Sequence, residues 1–275
     1  SLSFSDVDLS DQHTVSVGAA SVGALGTVSA QISADTANGV GGVIAWTYTV
    51  AASAGEYLAE GETKLETFVI TLSDGQGGSV DRSVSVTLTG SNDVPTVATT
   101  DVVGAVTELV SASGSLSDSG SIAFSDVDVA DVHSVSVSAT SDGALGTLTP
   151  TIASATSNGE GGAIGWTYTV AAIAVEYLAA GEKKVETFTI TLDDGHGGTV
   201  DRVVSVTITG TNDKPVVAST DLTGQVTEMA TASGQLSDSG SIAFTDADLT
   251  DSHTVTVTSD PQGVLGGLVA SVATD

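Results

Sequence analysis

The sequence predicts an all-β protein built as tandem β-sandwich repeats with a 120-residue period, and three observations predict it. Landmark residues recur without insertion or deletion: Phe4, Phe124 and Phe244, Trp46 and Trp166, and Asn92 and Asn212 each stand 120 positions apart. Short stretches alternate bulky apolar side chains with small or hydroxylic ones, the period of a half-buried strand. Asn-Gly and Asp-Gly dipeptides separate those stretches, as hairpins require. A unit of this size can bury its own core, whereas solenoid repeats of about 20–45 residues cannot stand alone.

In chain order, Val15 and Val17 begin the first apolar alternation. Asn38-Gly39 with Gly41-Gly42 supplies the positive backbone dihedrals of a tight turn. The clearest strand follows, with Ile44, Trp46, Tyr48 and Val50 on one face and Ala45, Thr47 and Thr49 on the other, repeated as Ile164, Trp166, Tyr168 and Val170. The segment 51–62, with Glu56, Tyr57 and Leu58, predicts one helical turn, and no long amphipathic helix is present. Phe68, Ile70 and Leu72 form the next strand, Asp74-Gly75 with Gly77-Gly78 a second turn, and Val84, Val86 and Leu88 a further strand. Short β-branched strands at this spacing specify an immunoglobulin-like or cadherin-like Greek-key sandwich.

The boundary falls at Gly90-Ser91-Asn92-Asp93-Val94-Pro95, repeated as Gly210-Thr211-Asn212-Asp213-Lys214-Pro215, where proline stiffens the connection. It divides the chain into a first unit, 1–94, expected to lack its first strand, a complete unit, 95–214, and the first half of a third, 215–275. The chain opens without Met or a signal peptide, so it reads as an internal piece of something longer.

The formal net charge is -28, from 34 acidic against 6 basic residues. Such a surface repels phosphate backbones and anionic lipid, which argues against nucleic-acid or membrane partners. A hydrophobic content of 40% with regular alternation argues against disorder. There is no cysteine, so neither disulfides nor thiolate metal sites are available, and no apolar run approaches a membrane span of roughly 18 residues.

The densest acid is Asp6, Asp8 and Asp11, returning as Asp126, Asp128, Asp131 and as Asp246, Asp248, Asp251. Three carboxylates in six residues repel one another unless a cation sits among them, and Ca²⁺ takes about 6–8 oxygen ligands. Asn92 and Asp93 of the linker, Glu108 in the first strand of the following unit, and their counterparts Asn212, Asp213 and Glu228 are the further candidate ligands. The alternative is that these aspartates are turn formers. Asp74 and Asp194, flanked by glycine, read equally as ligands or as hairpin residues. Asp81-Arg82 and Asp201-Arg202 read as local ion pairs, and Asp118 and Asp238 as turn residues.

His13, His133 and His253 recur directly before an apolar strand. No G-x-S-x-G elbow accompanies them, and a triad stamped into every unit would be odd, so hydrogen-bonded strand-edge histidines are expected rather than an enzyme. His196 replaces Gln76 and is outside the repeat. Trp46 and Tyr48 share a face with Ile44 and Val50, which favours core packing over a sugar platform. Thr254, Thr256 and Thr258 form a hydroxyl ladder expected to be a solvated strand face.

Several stretches together resemble the VCBS repeat of very large bacterial surface proteins and RTX-type adhesins. They are Phe124-Ser125-Asp126-Val127-Asp128 with Asp131 and His133, Trp166-Thr167-Tyr168, Leu178-Ala179-Ala180-Gly181-Glu182, and Asp194-Gly195-His196-Gly197-Gly198 leading to Thr211-Asn212-Asp213-Lys214-Pro215. The resemblance implies cadherin-like sandwiches with Ca²⁺ at the junctions between neighbouring repeats. It also implies type I secretion to the bacterial surface, and an extender role in attachment and biofilm formation, with the adhesive ligand bound by a distant domain. The Asn-Asp-x-Pro linker followed by Asp-x-Asp is similar to the interdomain pattern of cadherins, although the full cadherin linker motif and the glycine-rich calcium nonapeptides of RTX proteins are absent. Competing readings are a carbohydrate- or ice-binding module and a subunit of a filament or surface layer.

Overall fold

The computed structural model describes residues 1–218, 221–258 and 263–275. Residues 1–94 contribute β1 (Leu2–Phe4), β2 (Thr14–Ala20), β3 (Thr27–Ala34), β4 (Gly42–Thr49), β5 (Thr63–Ser73) and β6 (Ser79–Thr89), with a 3-10 turn at Ala52–Ala54. They form two three-stranded sheets, β1-β4-β3 and β2-β5-β6. The next unit adds β7 (Thr96–Val97), β8 (Val103–Thr107), β9 (Ser115–Ser125), β10 (Ser134–Ala139), β11 (Thr147–Ser154), β12 (Gly162–Ala171), β13 (Lys183–Asp193) and β14 (Thr199–Thr209), with a 3-10 turn at Ala172–Ala174. Its sheets are β11-β12-β9-β7 and β10-β13-β14-β8, antiparallel except that β8 runs parallel to β14. Two packed antiparallel sheets with strands crossing between them are a Greek-key sandwich.

The alternation read from the sequence is the alternation seen in space. Ile164, Trp166, Tyr168 and Val170 of β12 all face the core, which Phe188, Ile190 and Leu192 of β13 and Val204, Val206 and Ile208 of β14 close from the other sheet. In the first unit the same face is less covered: Val50 is 38% exposed where Val170 is 2% exposed. Val170 pairs with Leu116 of β9, whereas β1 matches only the end of β9 and stops its ladder at Ile44. The ladder that covers Val170 in the second unit therefore has no equivalent beside Val50.

The predicted turns carry the predicted dihedrals. Asn158 and Gly159 have φ of 51° and 83°, matching Asn38 and Gly39 at 54° and 80°, the pair of positive values that a two-residue hairpin requires. Gly146 serves a different need: a Cβ there would clash with the hydroxyl end of Tyr168, 2.2 Å from its Oη.

Between β7 and β8 the chain leaves one sheet for the other. Arg202 holds this crossing, its guanidinium donating to the carbonyls of Val97 and Ala98. The expected Asp201–Arg202 ion pair does not form: Arg202 also bonds the backbone oxygen of Asp201, whose carboxylate instead accepts Thr191 Oγ1 at 2.6 Å. Adjacent strand residues point to opposite faces, which keeps these two side chains apart. Arg82 likewise bonds the Asp81 backbone. Asp118 is not a turn residue either; it lies within β9 and accepts the Ala105 N–H at 2.7 Å, as Asp238 does from Gln225 at 2.6 Å.

Among the described residues of 215–275, the ladder is β15 (Val216–Val217) with β16 (Phe244–Thr245), the counterparts of β7 and the end of β9. Thr254, Thr256 and Thr258 are exposed but lie in no strand.

Candidate metal centres at the repeat junctions

The loop after β9 winds its three aspartates inward through its own backbone. The Asp126 N–H donates to Gly159 O at 2.9 Å, so the Asn158-Gly159 turn anchors the loop's start. The Asp128 N–H donates to Asp126 Oδ1 at 3.0 Å and the Asp131 N–H to Asp128 O at 3.2 Å. His133 is buried against Phe124, with Nε2 2.9 Å from Asp126 Oδ2. It orients a carboxylate, the hydrogen-bonded role its position suggested.

The β13–β14 turn brings in Asp194. Its Oδ1 accepts the His196 and Gly198 N–H groups at 2.8 and 2.9 Å, shaping the turn, and its other oxygen faces the linker. Oxygens of Asp126, Asp131 and Asp194 lie within 4.8 Å of one another. The linker closes over them: Asn92 Nδ2 donates to Asp194 Oδ2 at 3.1 Å, and the Asp93 N–H to Asp128 Oδ2 at 2.7 Å. Val129 N–H reaches back to Tyr57 O of the preceding unit at 3.4 Å. Asp194 is thus both a turn former and a member of the acidic group.

A second group stands at the following junction, where Glu108, Glu176 and Asp213 place oxygens within 4.8 Å. The Thr211 N–H donates to Glu108 Oε2 at 2.8 Å, the Asp213 N–H to Asp248 Oδ2 at 2.9 Å, and the Leu249 N–H to Tyr177 O at 3.3 Å. Glu108 was expected beside Asp126 and Asn92, and the structure corrects this. Because β8 runs parallel to β14, its end reaches the end of β14 and the next linker. Glu176, two residues beyond the Ala172–Ala174 helix, is a member that the acidic spacing does not single out, although its recurrence as Glu56 in an otherwise apolar segment is a signal.

Asp6, Asp8 and Asp11 cluster likewise but are more exposed, and His13 there bridges Asp6 at 3.1 Å and Asp35 at 2.7 Å. In the third unit the Asp248 N–H donates to Asp246 Oδ1 at 3.1 Å, the Asp251 N–H to Asp248 O at 3.4 Å, and His253 Nε2 lies 2.8 Å from Asp246 Oδ2. Asn212 is exposed, and so is Glu228, which joins no acidic group among the described residues. An open groove lined by Ala51, Ala52, Thr89, Ser91 and neighbours occupies the place that 107–116 fill in the second unit, so it is an uncovered core edge.

The electrostatics of both junctions are unfavourable as they stand. Burial, then the neighbouring carboxylates, pushes Glu108, Glu176 and Asp213 above the ordinary carboxylate range. Asp128 is raised by burial and by Asp131, Asp126 and Asp93, despite the N–H bond from Asp93. Asp131 is raised by burial and by Asp126 and Asp194, against the pull of His196. Among the described residues, the buried side-chain oxygens without a hydrogen-bond partner all fall at these two junctions. They are Asn92 Oδ1, Asp128 Oδ1 and both Asp131 oxygens at the first, and Glu108 Oε1, Glu176 Oε1, Thr211 Oγ1, Asp213 Oδ2 and Asp248 Oδ1 at the second. Buried polar atoms are ordinarily paired, so a converging set of orphaned oxygens fits a hard cation.

A further buried carboxylate is no part of these groups. Glu186 is fully buried and accepts Leu145 N–H at 2.6 Å, Gly146 N–H at 3.1 Å and Tyr168 Oη–H at 2.8 Å, and Glu66 does the same with Leu25, Gly26 and Tyr48. Burial and Glu66 push the Tyr48 hydroxyl up to about 12. Burial opposes ionisation of Glu66, but its three donors outweigh that and hold it below its ordinary value of 4.5. A depressed folded value stabilises the fold above the ordinary value and loses that contribution as pH falls through the depressed one. Acid unfolding of the first unit, followed by Trp46 fluorescence with Trp166→Phe, is therefore expected to be steepest below that value and to flatten in Glu66→Gln.

No family model matches the chain, and no curated protein sequence matches it. Among solved structures, cadherin-like domains 1 to 4 of zebrafish RET align over 68% of the chain at 12% identity, with a TM-score of 0.32. Extracellular domains 1–5 of protocadherin gamma B2 align over 82% at 15% identity, with a TM-score of 0.38, and the human desmocollin-1 ectodomain over 66% at 11%, with a TM-score of 0.33. The chain spans only 42%, 39% and 34% of those three. Likeness at this level carries no function across. No helix among the described residues is long and apolar enough to cross a membrane.

Proposed function

We propose that this chain is a run of non-enzymatic spacer units, 1–94, 95–214 and 215–275, from a large bacterial surface adhesin of the VCBS and RTX type. In this reading Ca²⁺ stiffens the junctions, the chain is secreted by the type I route, and the adhesive ligand in attachment and biofilm formation is bound elsewhere. The observation that carries the reading is that, among the described residues, the partnerless buried oxygens lie at the junctions. Ligands for one ion would come from Asn92 and Asp93 of a linker and from Asp126, Asp128, Asp131 and Asp194 of the unit after it. At the next junction they would come from Glu108, Glu176 and Asp213 of one unit and Asp248 of its successor.

A cation held this way supplies positive charge to carboxylates that otherwise repel, and a linker tied to both units loses its freedom to bend. Binding that favours the ordered junction over the open one shifts the chain to the stiff state. Small-angle scattering of the chain in millimolar Ca²⁺ is expected to give a longer and narrower distribution of maximum dimensions than in chelator. Identical profiles in the two buffers would remove the stiffening mechanism.

A further inference from the structure

The hairpin tips that anchor the acidic loops are Asn-Gly pairs. The chain has four asparagines, Asn38, Asn92, Asn158 and Asn212. Asn92 and Asn212 stand before aspartate in the linkers, and their side-chain nitrogens are held by Asp194 Oδ2 and by the Asp213 carbonyl. Asn38 and Asn158 stand before glycine, exposed at the tips, with φ of 54° and 51°. In each hairpin the backbone bonds run between the flanking residues, Ala37 with Val40 and Ser157 with Glu160, and leave the Gly39 and Gly159 N–H groups outside them.

An asparagine side-chain carbon and the next backbone nitrogen can close a five-membered ring. Glycine after asparagine favours this, because no Cβ shields its nitrogen and its backbone rotates most freely. The glycine nitrogen bonds to asparagine Cγ and gives up its proton, the side-chain nitrogen leaves as ammonia, and a succinimide remains. Water then opens the ring at one of its two carbonyl carbons. Opening at Cγ gives aspartate, and opening at the main-chain carbonyl gives isoaspartate, whose backbone runs through the side chain. The net change is NH₂ for OH, with water as the only co-reactant.

The structure attaches a consequence to this reaction at both tips. Gly159 O accepts the Asp126 N–H at 2.9 Å, and Gly39 O accepts the Asp6 N–H at 3.1 Å. There is no slack in the contact: a Cβ on Gly159 would lie 2.6 Å from Asp126 O, and one on Gly39 would lie 2.6 Å from Asp6 O. Isoaspartate inserts a methylene into the main chain directly before that glycine, so the bond and the close packing cannot both survive. We propose that Asn158-Gly159 and Asn38-Gly39 are self-modification sites, at which deamidation to isoaspartate unlatches the loop carrying Asp126, Asp128 and Asp131, or Asp6, Asp8 and Asp11. A two-residue hairpin accepts Gly-Gly equally well, so the turn geometry does not itself require the reactive asparagine. The chemistry stands without the cation reading, and its effect on a stiffened junction rests on that reading.

The test ages the 275-residue chain and its Asn38→Gly, Asn158→Gly double variant in chelator at mildly alkaline pH. The variant removes both reactive side chains and keeps residues that accept positive φ. Peptide mapping by mass spectrometry, with isoaspartate counted by enzymatic methylation, is expected to find conversion at Asn38 and Asn158 and none at Asn92 and Asn212. Amide hydrogen exchange in the peptide spanning Asp126 is expected to be about tenfold faster in aged than in fresh wild type, and equal in aged and fresh variant. Asn158 staying intact in the folded chain while it converts in the urea-unfolded chain would overturn the proposal. So would isoaspartate at Asn158 with exchange at Asp126 unchanged. Both readouts are taken in chelator, so their failure is separate from failure of the calcium reading, which the scattering comparison tests.

Discussion

Asp128→Asn is expected to lower the melting temperature in millimolar Ca²⁺ and to raise it in chelator. Asp128 is fully buried; one oxygen accepts the Asp93 N–H and the other has no partner. Asparagine keeps an acceptor for Asp93 and removes the charge. Without a cation that charge is a liability, held unfavourably by burial and by Asp131, Asp126 and Asp93, so its removal relieves repulsion. With a cation present the same charge is a ligand, and losing it forfeits binding energy that stabilises only the folded junction. One saturated site at 100 times its Kd contributes about 2.7 kcal/mol. The wild type is correspondingly expected to melt well above its chelator value when Ca²⁺ is added. Differential scanning calorimetry of both proteins in both buffers decides it. A melting temperature that falls equally in Ca²⁺ and chelator would mean Asp128 is merely structural.

The second large effect is expected at Glu186, away from any junction. Glu186→Ala leaves the N–H groups of Leu145 and Gly146 and the Tyr168 hydroxyl facing a buried hole with no acceptor. Breaking a buried charged network from one side costs about 3–5 kcal/mol. For a domain of this size that is a fall of roughly 12–20 °C. Tyr168→Phe removes one donor and leaves the carboxylate with its two backbone partners, so a loss of about 1–1.5 kcal/mol is expected. Chelator-treated protein should show both effects, since neither residue belongs to a junction. A Glu186→Ala loss below about 1 kcal/mol in denaturant unfolding would show that the loop around Leu145 is held by something else.

The fold and the sites were legible to different degrees because they depend on different ranges of interaction. Trp166 and Tyr168 were readable as core from their own strand, since side chains two residues apart share a face whatever lies opposite. Asn158-Gly159 was readable as a turn because its positive dihedrals are a property of those two residues. Asp126, Asp128 and Asp131 announced themselves by density alone. Glu186 did not, although it alternates with Phe188, Ile190 and Leu192 on the inner face of β13, because a single carboxylate gives no sign of its donors, Tyr168 on another strand and the Leu145 and Gly146 N–H groups 41 and 40 residues earlier.

What the sequence determined by itself was therefore the period, the strand faces, the turns and the existence of acid at each linker. What the tertiary structure decided was which acids meet. Asn92 finds Asp194 across 102 positions, and Thr211 finds Glu108 across 103. The parallel pairing of β8 with β14 carries Glu108 away from Asp126 and delivers it to Glu176 and Asp213. Composition and local periodicity carry no information about such partners, because partner choice follows from sheet register and from the crossing between sheets at Val97 and Ala98, where Arg202 fixes the route.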